Sequence, residues 1–316
     1  MSADRPSIIV DCDPGHDDAV ALLIAARHAD LVGVTAVAGN APLSLTTRNA
    51  LIMLDLLGRP DVPMHAGAER PLVAPPRHAG YVHGESGLDG TPLPDPTRGP
   101  TSTDAVGFII EACRAREGLW LVPTGPMTNI ALALRAAPDL ARRIAGISLM
   151  GGGRFGNRTA AAEFNLWCDP EAAAMVFDYG GPLIMSGLHL THGFQATPER
   201  IDAVRAVPGP LGALFAELFE FFSGTYLTRS DNLAGAPVHD PCAVLALTHP
   251  ELFTSVERHV SVETSGQLTA GMTVIDDRGL IERSDPNCRV LETIDAEAGW
   301  ALIVEAVAHF STGAST

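Results

Sequence analysis

The sequence predicts an α/β fold. It is read as an open, mostly parallel sheet flanked by helices, with a helical insertion and a small antiparallel β addition, in one domain over residues 1–316. Three observations carry this reading. Apolar β-rich runs alternate with apolar patterns of helical period as far as His192, the sign of right-handed β-α-β crossovers. Polar residues and glycines gather just past the end of each run. Beyond His192 the pattern changes to long helices and then to short alternating strands.

In chain order, Ile8-Ile9-Val10 belongs to the first strand, and Pro14-Gly15 turns the chain into a helix from His16 to about Ala29. A second strand, Leu31 to Val37, ends in Ala38-Gly39-Asn40. A helix with Leu43, Leu51, Leu54 and Leu57 on its apolar side follows, then a short third strand, Val62 to Ala66. Residues 67–100 are rich in Pro, Gly and His, and a loop that long inside a domain is usually functional. Thr101-Ser102-Thr103-Asp104 caps a helix to about Arg116. The strand Leu119 to Pro123 leads through Thr124-Gly125-Pro126 into a helix ending near Ala136. The strand Ile144 to Met150 ends in Gly151-Gly152-Gly153, and an irregular stretch carries Asn157, Glu163 and Asn165. Asp169-Pro170-Glu171 opens a helix, and the strand Pro182 to Ser186 runs into Gly187-Leu188-His189-Leu190-Thr191-His192. Helices over about 198–207 and 210–226 form the insertion. The antiparallel strands are expected near Val256 to Glu263, Gly271 to Asp276 and Cys288 to Thr293, before a final helix over 295–310.

Composition narrows the function. A chain of 316 residues with 46% hydrophobic and 18% charged residues buries a large core and is not disordered. A formal charge of −16 argues against nucleic acid or an anionic membrane as partner and favours neutral or cationic small molecules. Cys12, Cys113, Cys168, Cys242 and Cys288 are scattered and form no C-x-x-C pair, so neither a disulfide framework nor a zinc site is expected. The stretch Met1 to Pro6 has none of the apolar character of a signal peptide, and a cytoplasmic location is the expectation.

The chemistry concentrates where the first strand stops. Asp11, Asp13, Asp17 and Asp18 stand within eight residues, and so many carboxylates repel one another unless a cation binds or some are protonated. Hard divalent ions prefer all-oxygen surroundings, and calcium tolerates several carboxylates better than magnesium does. Helix capping accounts for one of the four acids, not for all. Asp13, Asn40, Thr124, Gly151 and His189 each follow a strand, and in a parallel sheet those ends share one edge, where ligands bind. Taken singly, the other residues have plainer readings. Asn40 after Gly39 is turn chemistry, and Asp240 before Pro241 is a helix cap followed by proline at the first helical position. Thr124 can cap its helix, and His83 sits in a glycine-rich loop. Gly151-Gly152-Gly153-Arg154-Phe155-Gly156 matches the spacing of a dinucleotide fingerprint, but no helix opens within it, so that reading is rejected.

With these residues placed, nearly the whole chain resembles the inosine-uridine-preferring nucleoside hydrolases. The family signature D-x-D-x-x-x-D-D is present as Asp11, Asp13, Asp17 and Asp18. Gly39-Asn40, His83-Gly84, Pro123 to Asn129, Met150-Gly151-Gly152, Glu163-Phe164-Asn165 and His239-Asp240-Pro241 follow in the family's order. The resemblance implies one calcium ion held by Asp13, Asp18, Asp240 and the Thr124 carbonyl. It implies Asp13 as general base toward water and His239 as the residue that assists departure of the nucleobase. Asp17, Asn40, Met150, Asn157, Glu163 and Asn165 are expected around the ribose, and His83 and Tyr226 complete the substrate pocket, with Arg229 nearby. It also implies a homodimer or homotetramer.

The implied reaction suits the residue types. Breaking an N-glycosidic bond builds positive charge on the ribose, which an excess of carboxylates stabilises. His16, His83 and His239 resemble the pyrimidine-preferring branch, so uridine and cytidine are the expected substrates, with some inosine activity. The family's purine-specific branch stacks the base between tryptophans, and of Trp120, Trp167 and Trp300 here, Trp167 alone is near a matched motif. Two other readings stay open at this point. A haloacid-dehalogenase-like phosphohydrolase also carries D-x-D after its first strand, but it needs a lysine, and this chain has none. A calcium-dependent nucleoside or sugar sensor would keep the site without the chemistry.

Overall fold

The computed structural model describes residues 5–228, 233–279 and 285–312. Its strands in chain order are β1 (Ser7–Cys12), β2 (Asp30–Ala36), β3 (Met64–Ala66), β4 (Trp120–Pro123), β5 (Gly146–Met150) and β6 (Leu183–Ser186). There follow β7 (Gln195–Ala196), β8 (Ala236–Pro237), β9 (Phe253–Arg258), β10 (Val260–Val262), β11 (Thr273–Ile275) and β12 (Cys288–Ile294). Eight of them form one sheet in the order β3-β2-β1-β4-β5-β6-β12-β9. Every neighbouring pair is parallel except β12 with β9.

Side-chain alternation along β1 explains the layering. Ile8 and Val10 point into one apolar cluster and Ile9 into the other, and all three are wholly buried. Each such side chain contributes at most roughly 1.5–3 kcal/mol by leaving water. The helices His16–His28, Pro241–Thr248 and Ala296–Ser311 cover the first face, and Ala105–Ala115, Thr128–Ala136 and Pro170–Phe177 cover the second. Helix His16–His28 is buried from His16 to Ala26, because it is wedged between the sheet and its two companion helices. Its apolar run is therefore a core helix rather than an amphipathic one.

The chain winds outward from β1 through β2 to β3, returns to β4, and then winds the other way. The strand order thus reverses between β1 and β4, and the loops leaving those two strands border a crevice suited to a ligand. The long loop expected over 67–100 contains a single helical turn, Gly80–His83, and is tied to the aspartate loop. Asn49 Nδ2 donates to the carbonyls of both Pro14 and Ser86, at 3.1 and 3.0 Å.

Two expectations are corrected. The strand read from Val256 to Glu263 is broken at His259, so β9 joins the large sheet while β10 pairs with β11 in a separate antiparallel hairpin. The strand expected from Cys288 does pair antiparallel with β9, but it is not part of a separate antiparallel addition, since its other edge lies parallel to β6 inside the large sheet. Alternation along a strand identifies its faces but not its neighbour, which the turns and crossovers decide. The helical insertion comprises Pro198–Arg205 and Pro210–Leu227, and the second helix brings Phe222 and Tyr226 to the crevice.

Candidate active site

Asp11 is the one acid of the signature that does not reach the crevice. Its Oδ1 accepts from Thr35 Oγ1 at 2.5 Å and from Asn129 Nδ2 at 2.8 Å, and burial pushes its carboxyl up to about 7. Asp13, two residues on, reaches the base of the crevice and is fully buried there. The Asn40 amide donates to Asp13 Oδ2 at 2.6 Å, whereas Asp13 Oδ1 is buried without a hydrogen-bond partner. The carboxylate lies in a notch between two glycines. A Cβ on Gly39 would sit 2.0 Å from Oδ2 and one on Gly125 would sit 2.5 Å from Oδ1.

Asp17 and Asp18 occupy the first turn of helix His16–His28, whose unpaired amides favour negative charge. Asp18 Oδ2 accepts from the Gly15 amide at 3.0 Å and Asp18 Oδ1 from Thr124 Oγ1 at 2.8 Å. Asp240 arrives from the far end of the chain, at the start of helix Pro241–Thr248. Oxygens of Asp17, Asp18 and Asp240 lie within 4.8 Å of one another, all buried. The tightest acidic group is therefore Asp17, Asp18 and Asp240. Asp13 borders it, and the Asp18 charge is the largest Coulombic push on Asp13. Thr124 offers its carbonyl at the same place, where Asn165 Nδ2 already donates to it at 2.7 Å.

Burial, followed by mutual repulsion, raises Asp13, Asp17 and Asp240 far above the carboxylate range, and burial raises Asp18 as well. Four such groups cannot all ionise at neutral pH unaided. The donors are oxygens alone, one of them is left without a partner, and the excess charge is negative. That combination fits a hard divalent cation of the calcium type.

Above the acids lies a cavity of about 310 Å³. Of the residues singled out in the sequence, Asp17, Asn40, Thr124 and Asp240 line its floor, and Met150, Asn157, Glu163 and Asn165 line one wall. His83, Tyr226 and His239 line the end beneath the helical insertion, while Asp13 and Asp18 lie below the lining. Glu163 is a rigid member. Its carboxylate accepts from the amides of Gly152, Asn165 and Leu166, yet burial still pushes it up to about 7. Met150, Gly151 and Gly152 pass directly beside it, the close backbone approach that glycines permit at φ of 159° and 68° for Gly151 and Gly152.

The histidines at the insertion end form a network. Nδ1 of His16 and of His83 are 3.1 Å apart, and His16 Nε2 meets the Asp89 carbonyl at 2.7 Å. Burial lowers His16 to about 4 and holds His83 and His239 well below the ordinary histidine range. His239 Nδ1 is 2.7 Å from Thr191 Oγ1, and His239 Nε2 is 2.9 Å from the Tyr226 hydroxyl.

Sequence reasoning missed Phe222, which lines the cavity and stacks on His16 and His83. It lies one helical turn before Tyr226 on the same face, a spacing that becomes a signal only once Tyr226 is known to face the cavity. In the run after β6, His192 lines the cavity, while His189 lies near Arg154, Glu292 and Leu291 instead. Arg229 falls outside the described residues.

The chain is similar in sequence and in fold to known proteins. The chain is 45% identical over 308 residues to the pyrimidine-specific ribonucleoside hydrolase RihA of Enterobacter sp. (strain 638), covering 96% of this chain and 98% of that one. It is 44% identical to the protein of the same name from Klebsiella pneumoniae, over 96% of this chain and 99% of that one. Among solved structures it superposes on a purine-preferring ribonucleoside hydrolase from Gardnerella vaginalis with a TM-score of 0.91 at 31% identity, covering 98% of this chain and 100% of that chain. The plant nucleoside hydrolase PpNRh1 superposes with a TM-score of 0.89 at 29% identity, covering 96% and 99%. A sequence model of the inosine-uridine preferring nucleoside hydrolases matches residues 8–301, a span that runs from β1 into the last helix and takes in every acid of the crevice. It is to that family, the inosine-uridine preferring nucleoside hydrolases, that the chain belongs.

Proposed function

We propose that this nucleoside hydrolase cleaves the N-glycosidic bond of pyrimidine ribonucleosides, uridine and cytidine before inosine, to ribose and free base. The observation that carries the reading is the unpartnered Oδ1 of Asp13 beside the Asp17, Asp18 and Asp240 group, beneath a cavity of about 310 Å³. The pyrimidine preference is supported by relatives of that description at 44–45% identity. It is supported also by a cavity wall of histidine, phenylalanine and tyrosine, with Trp120, Trp167 and Trp300 all outside it.

Asp13, Asp18, Asp240 and the Thr124 carbonyl would hold the calcium ion, with the Asp17 carboxylate, within 4.8 Å of those of Asp18 and Asp240, directly beside it. When bound, that ion supplies the positive charge the carboxylates need and acts as a Lewis acid toward oxygen. Asp13 Oδ1, free of other bonds, accepts a proton from the attacking water, while Oδ2 is fixed by the Asn40 amide. The water oxygen bonds to the anomeric carbon, and the electron pair of the broken C–N bond leaves with the base. Positive charge that develops on the sugar meets the carboxylate-rich floor. Asp17, Asn40, Asn157, Glu163 and Asn165 hold the sugar hydroxyls, and His239, with Tyr226 and His83, serves the departing base.

The chain is proposed to work as a homodimer or homotetramer in the cytoplasm. All five cysteines are free and buried, and no helix among the described residues is long and apolar enough to cross a membrane. Incubation with uridine, cytidine, inosine and a phosphate ester, with and without chelator, tests the reading. Free ribose whose appearance stops with EDTA is expected. Released phosphate, or binding without turnover, would overturn it.

A further inference from the structure

The cleft's histidine is held from both sides, and the holder on the far side from the cavity has no role so far. Thr191 ends the short helix Leu188–Thr191 that follows β6, and its side chain is completely buried. Among the described residues its hydroxyl is hydrogen-bonded to one group, His239 Nδ1, at 2.7 Å. On the other edge of the ring, Nε2 meets the Tyr226 hydroxyl at 2.9 Å.

A neutral imidazole carries one N–H, so two arrangements are open. With the proton on Nδ1, the ring donates to Thr191 Oγ1, and the threonine hydrogen is left buried with no acceptor. Tyr226 must then donate to Nε2, which turns its own proton away from the cavity. With the proton on Nε2, Thr191 donates to Nδ1 and the ring donates to the Tyr226 oxygen. Every buried hydrogen is then paired, and the phenolic O–H is free to face the cavity. Asn157 also hydrogen-bonds the phenol, and because that bond favours the ionised phenolate it is donated by Asn157 to the Tyr226 oxygen. The Tyr226 oxygen therefore accepts from two sides, and its hydrogen is left for the ligand.

The geometry points to Thr191 as a positioning residue: its buried hydroxyl fixes His239 as the Nε2–H tautomer and so presents the Tyr226 O–H to the departing nucleobase. This rests on the reading that His239 and Tyr226 stand at the base. Thr191 touches no substrate. It acts through the ring.

Two measurements test it. Long-range proton–nitrogen correlation spectra of the wild-type protein read the tautomer directly, and His239 is expected with Nε2 protonated and Nδ1 bare. A ring protonated at Nδ1 overturns the inference, whatever the substrate proves to be. Steady-state kinetics of Thr191→Val and Thr191→Ser then compare uridine with p-nitrophenyl riboside, whose leaving group departs as a stable anion and needs no proton. Thr191→Val is expected to lose about 10- to 100-fold in kcat on uridine, a part of what a general acid supplies, with KM and the p-nitrophenyl riboside rate within about twofold. Thr191→Ser is expected to restore most of the uridine rate. Equal losses on both substrates, or none on uridine, overturn the inference. Should Thr191→Val not fold, the serine variant and the wild-type spectrum carry the test. A wild type that cleaves neither substrate sinks the proposed function instead, and the spectrum still decides the tautomer.

Discussion

Asn40 grips Asp13 twice: its backbone amide donates to Asp13 Oδ2 at 2.6 Å, and its side-chain amide reaches the Asp13 carbonyl at 3.2 Å. The carboxylate is thereby fixed in direction, with Oδ1 left over. Replacing the carboxylate by an amide of the same shape removes the proton acceptor, and with it one charge from the proposed calcium site. Asp13→Asn is expected to lose about 100- to 10,000-fold in kcat on uridine while the protein stays folded. Ribose release within tenfold of wild type, measured by a reducing-sugar assay, would remove Asp13 from the role of base.

The glycine notch makes a second, independent demand on the same side chain. A methyl group on Gly39 would meet Asp13 Oδ2 at 2.0 Å and the Pro126 ring at 2.7 Å, so Asp13 must move. A shift of about 1 Å in a reacting group can cost on the order of 100-fold in rate. Gly39→Ala is therefore expected to depress kcat on that scale while its circular dichroism spectrum matches wild type. Unchanged kcat would show that the notch does not position Asp13.

Metal-free protein should lose stability as pH rises above about 6.5. The histidines lowered by burial, His16 and His28 to about 4 among them, lose their protons in the unfolded chain near the ordinary histidine value of 6.5. Below that value they make stability rise with pH. Above it the raised carboxylates dominate: Asp17 reaches about 8, and Asp11 and Glu163 about 7. Between pH 6.5 and 8 these groups hold protons in the folded state that the unfolded chain has already released, so the slope is negative. Calcium, by stabilising the ionised forms of the crevice aspartates, should flatten it. Thermal melts in EDTA and in calcium chloride across that window check the sign, and identical slopes would count against a cation at the acids.

Both vicinal sugar hydroxyls are expected to be held, so 2′-deoxyuridine should be a poor substrate. One buried partner left unpaired costs about 1–3 kcal/mol, which is roughly 5- to 150-fold in kcat/KM. Competition between uridine and 2′-deoxyuridine measures the ratio, and a ratio near one would place the ribose elsewhere.

Much of this was legible in the sequence because a parallel sheet converts one-dimensional order into one edge. Asp13, Asn40 and Thr124 each follow a strand, and the structure brings them together at the point where strand order reverses. The closest acidic trio was not legible. Asp17 and Asp18 are adjacent in sequence, but which carboxylate faces Asp240 depends on the pitch of the first helical turn and on the amide of His239, which donates to Asp17 at 3.3 Å. Phe222 was hidden because the phenylalanines of that helix repeat closely, and the apolar pattern does not say which of them faces a cavity rather than the core. The partner of Cys288–Ile294 was hidden for a related reason: one strand's residues fit either a parallel or an antiparallel neighbour, and what surrounds it selects between them.

That last strand has a consequence for biosynthesis. β12 is translated after all the other described strands, yet it lies between β6 and β9 and is, among the described residues, the only strand of the large sheet that β9 pairs with. Until residues 288–294 leave the ribosome, the edge of β6 stays open and β9 has nowhere to dock, although the acids near the N-terminus were made long before. A nascent chain halted just short of Cys288 would carry most of the catalytic machinery on an unfinished sheet, and its exposed edge is where a chaperone would be needed.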